Sequence, residues 1–202
     1  MADLISMLSA ASGAVTAEAD PNFKQTVLLL HGDGTNGAQN NTFLDSSTNN
    51  FTITRNGDTT QGTFSPFSQT GWGNYFNGSN AYIYAAANAA FQFGTGDFTI
   101  EMWLNFSANS GSYKCIFSNR GTDATSVFLG INPSGKLVYY RGGDLITDAN
   151  VLATNTWVHV ALVRNGSTIT MYKDGTSVGS VTDTTNLTGN NCYIAQESTL
   201  SS

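Results

Sequence analysis

The chain has 202 residues, of which 11% are charged, where soluble proteins average roughly 25%. Its net charge of −6, with eight Lys and Arg in all, argues against a protein that follows nucleic-acid phosphates and against binding to anionic membranes. The 40% of hydrophobic residues predicts one folded domain, and no apolar run approaches the roughly 20 residues of a membrane span, so we expect no membrane insertion.

Residues 1–26 differ in composition from the rest and predict an N-terminal arm. Between residues 2 and 19 a few apolar side chains lie among Ala and Ser, which favours a short amphipathic helix or an extended arm. Pro21 ends this segment, because the residue before a proline disfavours the helical region. No Lys or Arg precedes Lys24, so we expect no secretory signal and synthesis in a cytosol. The arm is expected to serve attachment or oligomerisation.

From residue 27 onward the sequence predicts short strands separated by turns. In residues 98–106, apolar residues alternate with an outward set that includes Glu101 and Trp103. Asn165-Gly166 predicts a two-residue hairpin turn that sets Leu162 opposite Ile169. Residues 75–76 and 82–84 are predicted to pair as a hairpin. The predicted strands are residues 27–30, 51–55, 75–76, 82–84, 98–106, 113–119, 126–131, 136–141, 157–164, 167–173, 176–181 and 192–195.

This succession of strands, with hardly any helix after Pro21, predicts an all-β fold: a two-sheet antiparallel β-sandwich, or jelly roll, over residues 27–202. Two cysteines, Cys115 and Cys192, are too few for a disulfide framework. Buried free thiols are favoured, and a single bridge is the alternative.

Four blocks of the sequence resemble the laminin G-like jelly-roll branch of the concanavalin A-like lectin/glucanase superfamily. They are residues 27–34 (VLLLHGDG), 73–82 (GNYFNGSNAY), 93–103 (FGTGDFTIEMW) and 157–175, which begins WVHVALVRNG. The Ala/Ser-rich leader and the charge-poor Thr/Asn/Gly composition also resemble structural proteins of marine bacteriophages. This resemblance implies a virion location after synthesis in the host cytoplasm, with other virion proteins or identical subunits as partners.

The family's last strand, which carries an Asp-Asp pair and pairs near the first strand, has no counterpart before Ser202. Without it, a sheet edge beside residues 27–30 would be open, and open edges invite aggregation. We expect the N-terminal arm, a neighbouring subunit or an added partner strand to fill this edge. The alternative is that the chain is a truncated version of a longer protein.

The sequence offers little for glycoside hydrolysis. Related glucanases carry Glu-x-Asp-x-x-Glu on one strand, because retaining hydrolysis needs two carboxyl groups about 5 Å apart. Counting from Glu101, the second and third carboxylates are replaced by Trp103 and Phe106. The remaining candidate pair is Asp144 and Asp148, on predicted loops. The sequence has no Gly-x-Ser-x-Gly motif, which would place a nucleophilic serine for a histidine to activate. His31 and His159 are therefore expected to be structural. We therefore expect no enzyme.

Carbohydrate binding needs an exposed aromatic face together with hydrogen-bonding groups. The candidates are Trp72 between glycines, Asn74 close to it, and the cluster Tyr139, Tyr140 and Arg141. Packing of these aromatics inside the sandwich or at a subunit interface is the alternative. The predicted function is a non-enzymatic virion structural protein (tail fibre, baseplate or capsid decoration) whose lectin-like adhesion domain binds host surface glycans. A purely structural assembly module without glycan binding is the alternative.

A calcium site is a further expectation, because the resemblance implies one Ca²⁺ in domains of this kind and hard oxygen donors lie on predicted loops. No EF-hand spacing occurs, and Asp and Asn also favour turns for their own hydrogen bonds, so a protein without a cofactor is the alternative. The candidate ligands are Asp33, Asn36, Asp45, Asn77 and Asn80.

Overall fold

The computed structural model describes residues 21–32, 42–62, 66–67, 73–108, 111–119 and 123–195. Within these ranges no helix is long and apolar enough to cross a lipid bilayer. Three short 3-10 helices cover Phe23–Gln25, Ala89–Phe91 and Asp123–Thr125. The strands are β1 (Ile53–Asn56), β2 (Thr60–Gly62), β3 (Gly73–Tyr75), β4 (Tyr82–Ala85), β5 (Phe98–Asn105), β6 (Lys114–Ser118), β7 (Phe128–Ile131), β8 (Lys136–Tyr140), β9 (Asp144–Val151), β10 (Trp157–Asn165), β11 (Thr168–Lys173), β12 (Thr176–Thr182) and β13 (Cys192–Ile194).

Two antiparallel sheets pack face to face around one core. The larger has the strand order β1-β4-β13-β6-β7-β8-β9 and the smaller the order β12-β11-β10-β5, while β2 and β3 form a separate pair. Leu129 and Tyr139 of the larger sheet and Val160 and Met171 of the smaller belong to the same buried cluster. The predicted all-β antiparallel sandwich is therefore confirmed.

Alternation along β5 decides which of its side chains enter the core, as predicted. Ile100 is buried in the central cluster, whereas Thr99, Glu101 and Trp103 are exposed. The predicted strands 167–173 and 176–181 are joined by a hairpin turn at Asp174-Gly175, where both residues have positive φ, as a type I′ turn requires.

The predicted strand at residues 27–30 is reduced to a single bridge, between Leu30 and Asp45. A side chain takes the place of a strand ladder here: the Asp45 carboxylate accepts the N–H groups of Leu29, Ser47 and Phe51 at 2.9–3.0 Å, and the hydroxyl of Ser47. Burial alone would raise the pKa of this carboxyl, but these hydrogen bonds outweigh it and hold the pKa below the ordinary value of 3.8. Asp45 thus ties the first described segment to the sandwich.

The predicted hairpin of residues 75–76 with 82–84 is wrong. β3 pairs with β2, whereas β4 pairs with β1 and β13. The side chain of Asn77 explains the turn between them, because its Oδ1 accepts the N–H groups of Ser79, Asn80 and Ala81. Such an internally bonded loop redirects the chain instead of closing a hairpin.

The hairpin of β10 and β11 forms in a different register. Leu162 lies opposite Met171, not Ile169, because the two-residue turn is Gly166-Ser167, with Gly166 at φ +59°. A slip of two residues leaves every side chain on its own face, so apolar pairing does not distinguish the two registers.

β9 is a strand that the sequence did not predict. Its pairing with β8 shifts register twice, so its side chains do not follow a simple alternation. Residues 1–20 and 196–202 lie outside the described ranges, and the predictions of an N-terminal arm and of a segment filling the sheet edge stay predictions.

A buried polar network closes one end of the sandwich. Asp183 accepts hydrogen bonds from the hydroxyl of Tyr139 at 3.1 Å and from the guanidinium of Arg141 at 2.9 and 3.2 Å. Burial raises the pKa of Asp183, but the N–H of Thr185 and the charge of Arg141 outweigh it and lower that pKa. The pKa of Tyr139 rises to about 12, through burial first and the charge of Asp183 second. The buried Arg164 donates to four backbone carbonyls around it, those of Gly94, Gly166, Asp183 and Thr185.

Because the folded-state pKa of Asp45 is lowered, its contribution to stability is present above pH 3.8 and is lost as the pH falls through that lower pKa. We expect Asp45→Asn to lower the free energy of unfolding by about 2 kcal/mol at neutral pH, since a buried N–H loses its acceptor. The variant should also take up about one proton fewer on unfolding in acid, so that its free energy of unfolding depends less steeply on pH. Urea denaturation at a series of pH values measures both. Asp58→Asn, at an exposed carboxylate, is the control; equal slopes for both variants would contradict the assignment.

Candidate functional site

One row of residues crosses the whole seven-stranded sheet on its outward face. Residues directly opposite each other in antiparallel strands point to the same side of the sheet, and the pairings link one residue from each strand. The core-facing neighbours of this row include Ile83, Leu129 and Tyr139. In strand order the row is Thr54, Tyr84, Tyr193, Ser118, Phe128, Tyr140 and Asp144.

Three tyrosines form a cluster at one end of this row. The rings of Tyr84 and Tyr193 are stacked, with centroids 5.7 Å apart and an angle of 27° between their planes. Tyr82 lies two residues before Tyr84 on the same face, with its ring 6.1 Å from that of Tyr84 and 6.3 Å from that of Tyr193. All three are half-buried, and their hydroxyl groups hydrogen-bond to no other described residue. Burial, and next the two neighbouring phenols, raise the pKa of Tyr193.

A second aromatic cluster lies further along the row. The ring centroids of Tyr113, Phe128 and Tyr140 are 5.6–6.2 Å apart, in edge-to-face contacts. Phe128 is buried beneath, whereas Tyr113 is 37% exposed. The Tyr113 hydroxyl donates to Asp144 at 2.9 Å, and the amide of Asn132 donates to the other oxygen of the same carboxylate at 3.1 Å. Burial, and next the Asp144 carboxylate, raise the pKa of Tyr113.

The two clusters together offer ring faces and hydrogen-bonding groups on one surface. Tyr193 and Tyr140 are three strands apart, which corresponds to roughly 14 Å at the usual strand spacing. Between them Ser118 and Phe128 are buried. The arrangement can hold a ligand that presents C–H groups to the rings and hydroxyl groups to Asp144 and the phenols.

Only one of the described residues predicted for carbohydrate binding lies on this face, namely Tyr140. Tyr139 points the other way and is 0% exposed, so it cannot stack on a sugar. Arg141 is held by Asp183 and by the carbonyl of Ala124. Asn74 lies on β3 with its Oδ1 buried, and Trp72 lies outside the described residues. Strand alternation is the physical reason that three consecutive residues could not form one surface.

The described residues of the predicted calcium set do not fit a metal site. The oxygens of Asp45 already accept four hydrogen bonds, Asn77 Oδ1 accepts three, and Asn80 Oδ1 accepts the amide of Asn77. In the described part of the chain no three His, Cys, Asp or Glu side chains are grouped to hold a metal. Asp33 and Asn36 lie outside the described residues, and for them calcium binding stays a prediction.

The candidate catalytic carboxylates do not converge. Asp144 is exposed on the aromatic face, whereas Asp148 is buried and forms an ion pair with Lys173. Glu101 belongs to the other sheet, where its Oε2 lies 3.6 Å from Nε2 of His159. Within the described ranges, these positions give no acid and nucleophile facing one substrate.

The remaining candidates have structural surroundings. Nδ1 of His31 lies 3.1 Å from the hydroxyl of Ser46. Cys115 and Cys192 are not joined by a disulfide, and burial raises the pKa of the Cys192 thiol to about 12. A thiol with such a high pKa is unreactive at neutral pH.

Sequence reasoning missed Tyr82, Tyr84, Tyr113 and Tyr193. The pattern Tyr82-Ile83-Tyr84 does show two tyrosines on one face of a strand. Nothing local, however, indicates that β13 brings Tyr193 beside them, because the strand order is set by pairing between distant segments.

The sequence model of one protein family, described as the concanavalin A-like lectin/glucanases superfamily, matches residues 77–201. No curated protein matches the chain. Among solved structures, the binding domain of botulinum neurotoxin DC in complex with SialylT is similar, with a TM-score of 0.57 and 16% identity over 83% of this chain and 42% of that one.

The binding domain of botulinum neurotoxin serotype G gives a TM-score of 0.56 and 14% identity, over 84% of this chain and 42% of that one. The carbohydrate-binding module CBM66 from Bacillus subtilis gives a TM-score of 0.42 and 16% identity, over 61% of this chain and 77% of that one. The chain therefore covers less than half of either neurotoxin binding domain. At these identities the likeness concerns the fold.

Gly130 lies against the ring of Phe128 in the second cluster. A Cβ at this position would lie closer than 3.0 Å to the ring of Phe128 and to the carbonyl oxygen of Lys114. We expect Gly130→Ala to destabilise the protein by roughly 1 to 3 kcal/mol through overpacking and to shift the ring resonances of Tyr113 and Tyr140. Gly143→Ala, where no atom lies within 4 Å, is the control for urea unfolding and NMR. Equal stability of the two variants would show that Phe128 does not rest on Gly130.

Proposed function

Because this chain belongs to the concanavalin A-like lectin/glucanases superfamily, we propose that it is a non-enzymatic carbohydrate-binding protein. The ligand is a neutral glycan, held on the outward face of the seven-stranded sheet. The observation that carries this proposal is the pair of aromatic clusters on one surface, with the phenols of Tyr82, Tyr84 and Tyr193 unbonded to other described residues.

Ring faces and hydroxyl groups complement the two sides of a sugar. The face of an aromatic ring carries partial negative charge, so it attracts the polarised C–H groups of a pyranose. Phenolic hydroxyls donate and accept, and the Asp144 carboxylate accepts from sugar hydroxyls. The separation of roughly 14 Å between Tyr193 and Tyr140, three strand spacings, suits an oligosaccharide of several units better than a monosaccharide.

Charge favours a neutral ligand. The chain carries a net charge of −6, and Asp144 is exposed at the end of the row. An anionic polysaccharide would therefore be repelled both by the whole chain and locally. Binding of a neutral glycan should depend only weakly on salt, because no ion pair forms with it.

Binding without hydrolysis is supported by the carboxylates on this face. Cleavage of a glycosidic bond needs two carboxyl groups, about 5 Å apart for retention and further apart for inversion. Among the described residues of the row Asp144 has no carboxylate partner, since Asp148 is buried against Lys173. The acceptor role of Asp144 toward Tyr113 and Asn132 suits ligand positioning.

The biological setting that we propose is a virion, with the chain as part of a tail fibre, baseplate or capsid decoration. Sequence resemblance and the charge-poor composition support it. Partners would be other virion proteins or identical subunits, and host surface glycans would be the ligand.

Deletion of residues 1–26 should then abolish incorporation into particles while glycan binding is kept. Normal incorporation of the deleted chain would contradict attachment through the arm.

For the binding face, we expect Tyr84→Ala and Tyr193→Ala each to weaken binding of a neutral oligosaccharide about tenfold, the equivalent of about 1.4 kcal/mol. Each substitution removes one of two stacked rings. The oligosaccharide is chosen by screening a glycan array that carries neutral and anionic glycans, and the affinity is measured by isothermal titration calorimetry.

Tyr75→Ala is the matched control, because Tyr75 is 53% exposed on β3 and contacts neither cluster. The control should keep wild-type affinity. Binding confined to anionic glycans, or equal losses for Tyr75→Ala and Tyr84→Ala, would contradict the proposal.

A further inference from the structure

The other outward surface of the sandwich also carries an exposed aromatic cluster. Trp103, which points outward from β5, is 39% exposed, and Phe67 beside it is 54% exposed. Their ring centroids are 5.3 Å apart, in an edge-to-face contact. The imidazole of His159, directly opposite Trp103 on β10, has its centroid 5.3 Å from the indole. The rings of three residues from separate segments of the chain therefore meet at one point of the surface.

Polar groups adjoin these rings on the same face. Oε2 of Glu101 lies 3.6 Å from Nε2 of His159, and both side chains remain partly exposed. Asn105, two residues beyond Trp103 on β5, is exposed as well. An aromatic face, a carboxylate, an imidazole and an amide thus lie within one stretch of β5 and β10.

The fold does not need Trp103 for its core. The inward residues of β5, such as Ile100 and Met102, supply the packing, whereas Trp103 faces solvent. Exposed apolar patches with polar surroundings mark binding surfaces more often than random surface does. Outward positions of β5 and β11 near these rings, such as Asn105 and Thr170, are neutral amide or hydroxyl residues. This surface suits a neutral ligand rich in hydroxyl groups.

We propose that Trp103, Phe67, Glu101 and His159 form a second site for a neutral saccharide. The pyranose C–H groups lie against the indole, and the carboxylate of Glu101 accepts hydrogen bonds from adjacent hydroxyls. One indole flanked by two smaller rings accommodates one or two sugar units, fewer than the aromatic row on the seven-stranded sheet. This site does not require the first one to exist.

The two sites lie on opposite sides of the molecule. The sheets pack face to face with the core between them, so their outward faces point away from each other. A single short saccharide cannot reach both sites. On a long polysaccharide, the two sites of one domain bind two different polysaccharide molecules. The domain therefore acts as a bivalent cross-linker, which gains avidity on a polysaccharide layer.

The test counts sites. Isothermal titration calorimetry uses neutral glucose, galactose and mannose oligosaccharides, with wild type, Trp103→Ala, the double variant Tyr84→Ala/Tyr193→Ala, and all three changes together. We expect two sites in wild type, one in each of the first two variants and none in the last. Trp103→Phe should keep the second site with about tenfold weaker binding, and Thr99→Ala, on the same face of β5, should keep both sites.

Cross-linking gives an independent readout. Wild type mixed with the matching long neutral polysaccharide should raise turbidity, whereas both one-site variants should bind it without doing so. The proposal is overturned if Trp103→Ala leaves the site count and turbidity unchanged, or if no neutral oligosaccharide binds. It is also overturned if sedimentation shows that Trp103→Ala dissociates a dimer, because the surface would then be covered by a second copy. If Trp103→Ala abolishes all saccharide binding and the double variant Tyr84→Ala/Tyr193→Ala does not change it, the site at Trp103 is supported and the site on the seven-stranded sheet is contradicted.

Discussion

The antiparallel register of the seven-stranded sheet is the constraint on which the binding face depends. A slip of one residue would send every side chain of a strand to the opposite face. The pairings Tyr84–Tyr193 and Phe128–Tyr140 keep these rings outward only while Leu129 and Tyr139 fill the core. Burial of the apolar side therefore also positions the aromatic side, and a cluster of half-buried tyrosines is obtained without any separate scaffold.

Buried polar groups hold this arrangement at one end of the sandwich. Asp183 joins Tyr139 and Arg141 of the large sheet to the segment that follows β12, and Arg164 ties four carbonyls of the surrounding loops. Breaking a buried, charged network is costly because it leaves a charge unpaired. Both outward faces thus rest on a rigid frame, which lowers the ordering cost of binding a flexible glycan.

Sequence reasoning succeeded where structure is set locally and failed where it depends on distant pairing. The alternation of β5 and the turn at Asp174-Gly175 are readable within a few residues. The register of β10 and β11 was missed because Asn165-Gly166 and Gly166-Ser167 both close a hairpin that keeps each side chain on its face. β9 was missed because register shifts break its alternation. Among the described residues of this face, Tyr140 alone was predicted to bind carbohydrate, since Tyr84 meets Tyr193 through strand order alone.

Tyrosine-selective isotope labelling and NMR show directly whether the seven-stranded face binds a glycan. Titration of the Trp103→Ala variant with a neutral oligosaccharide isolates the seven-stranded face. Ring resonances on this face should shift, while those of Tyr75, Tyr139 and Tyr172 stay in place. Shifts confined to those three, or no shifts at all, would contradict binding on this face. The resonances predicted to move belong to the other five of the eight tyrosines, Tyr82, Tyr84, Tyr113, Tyr140 and Tyr193.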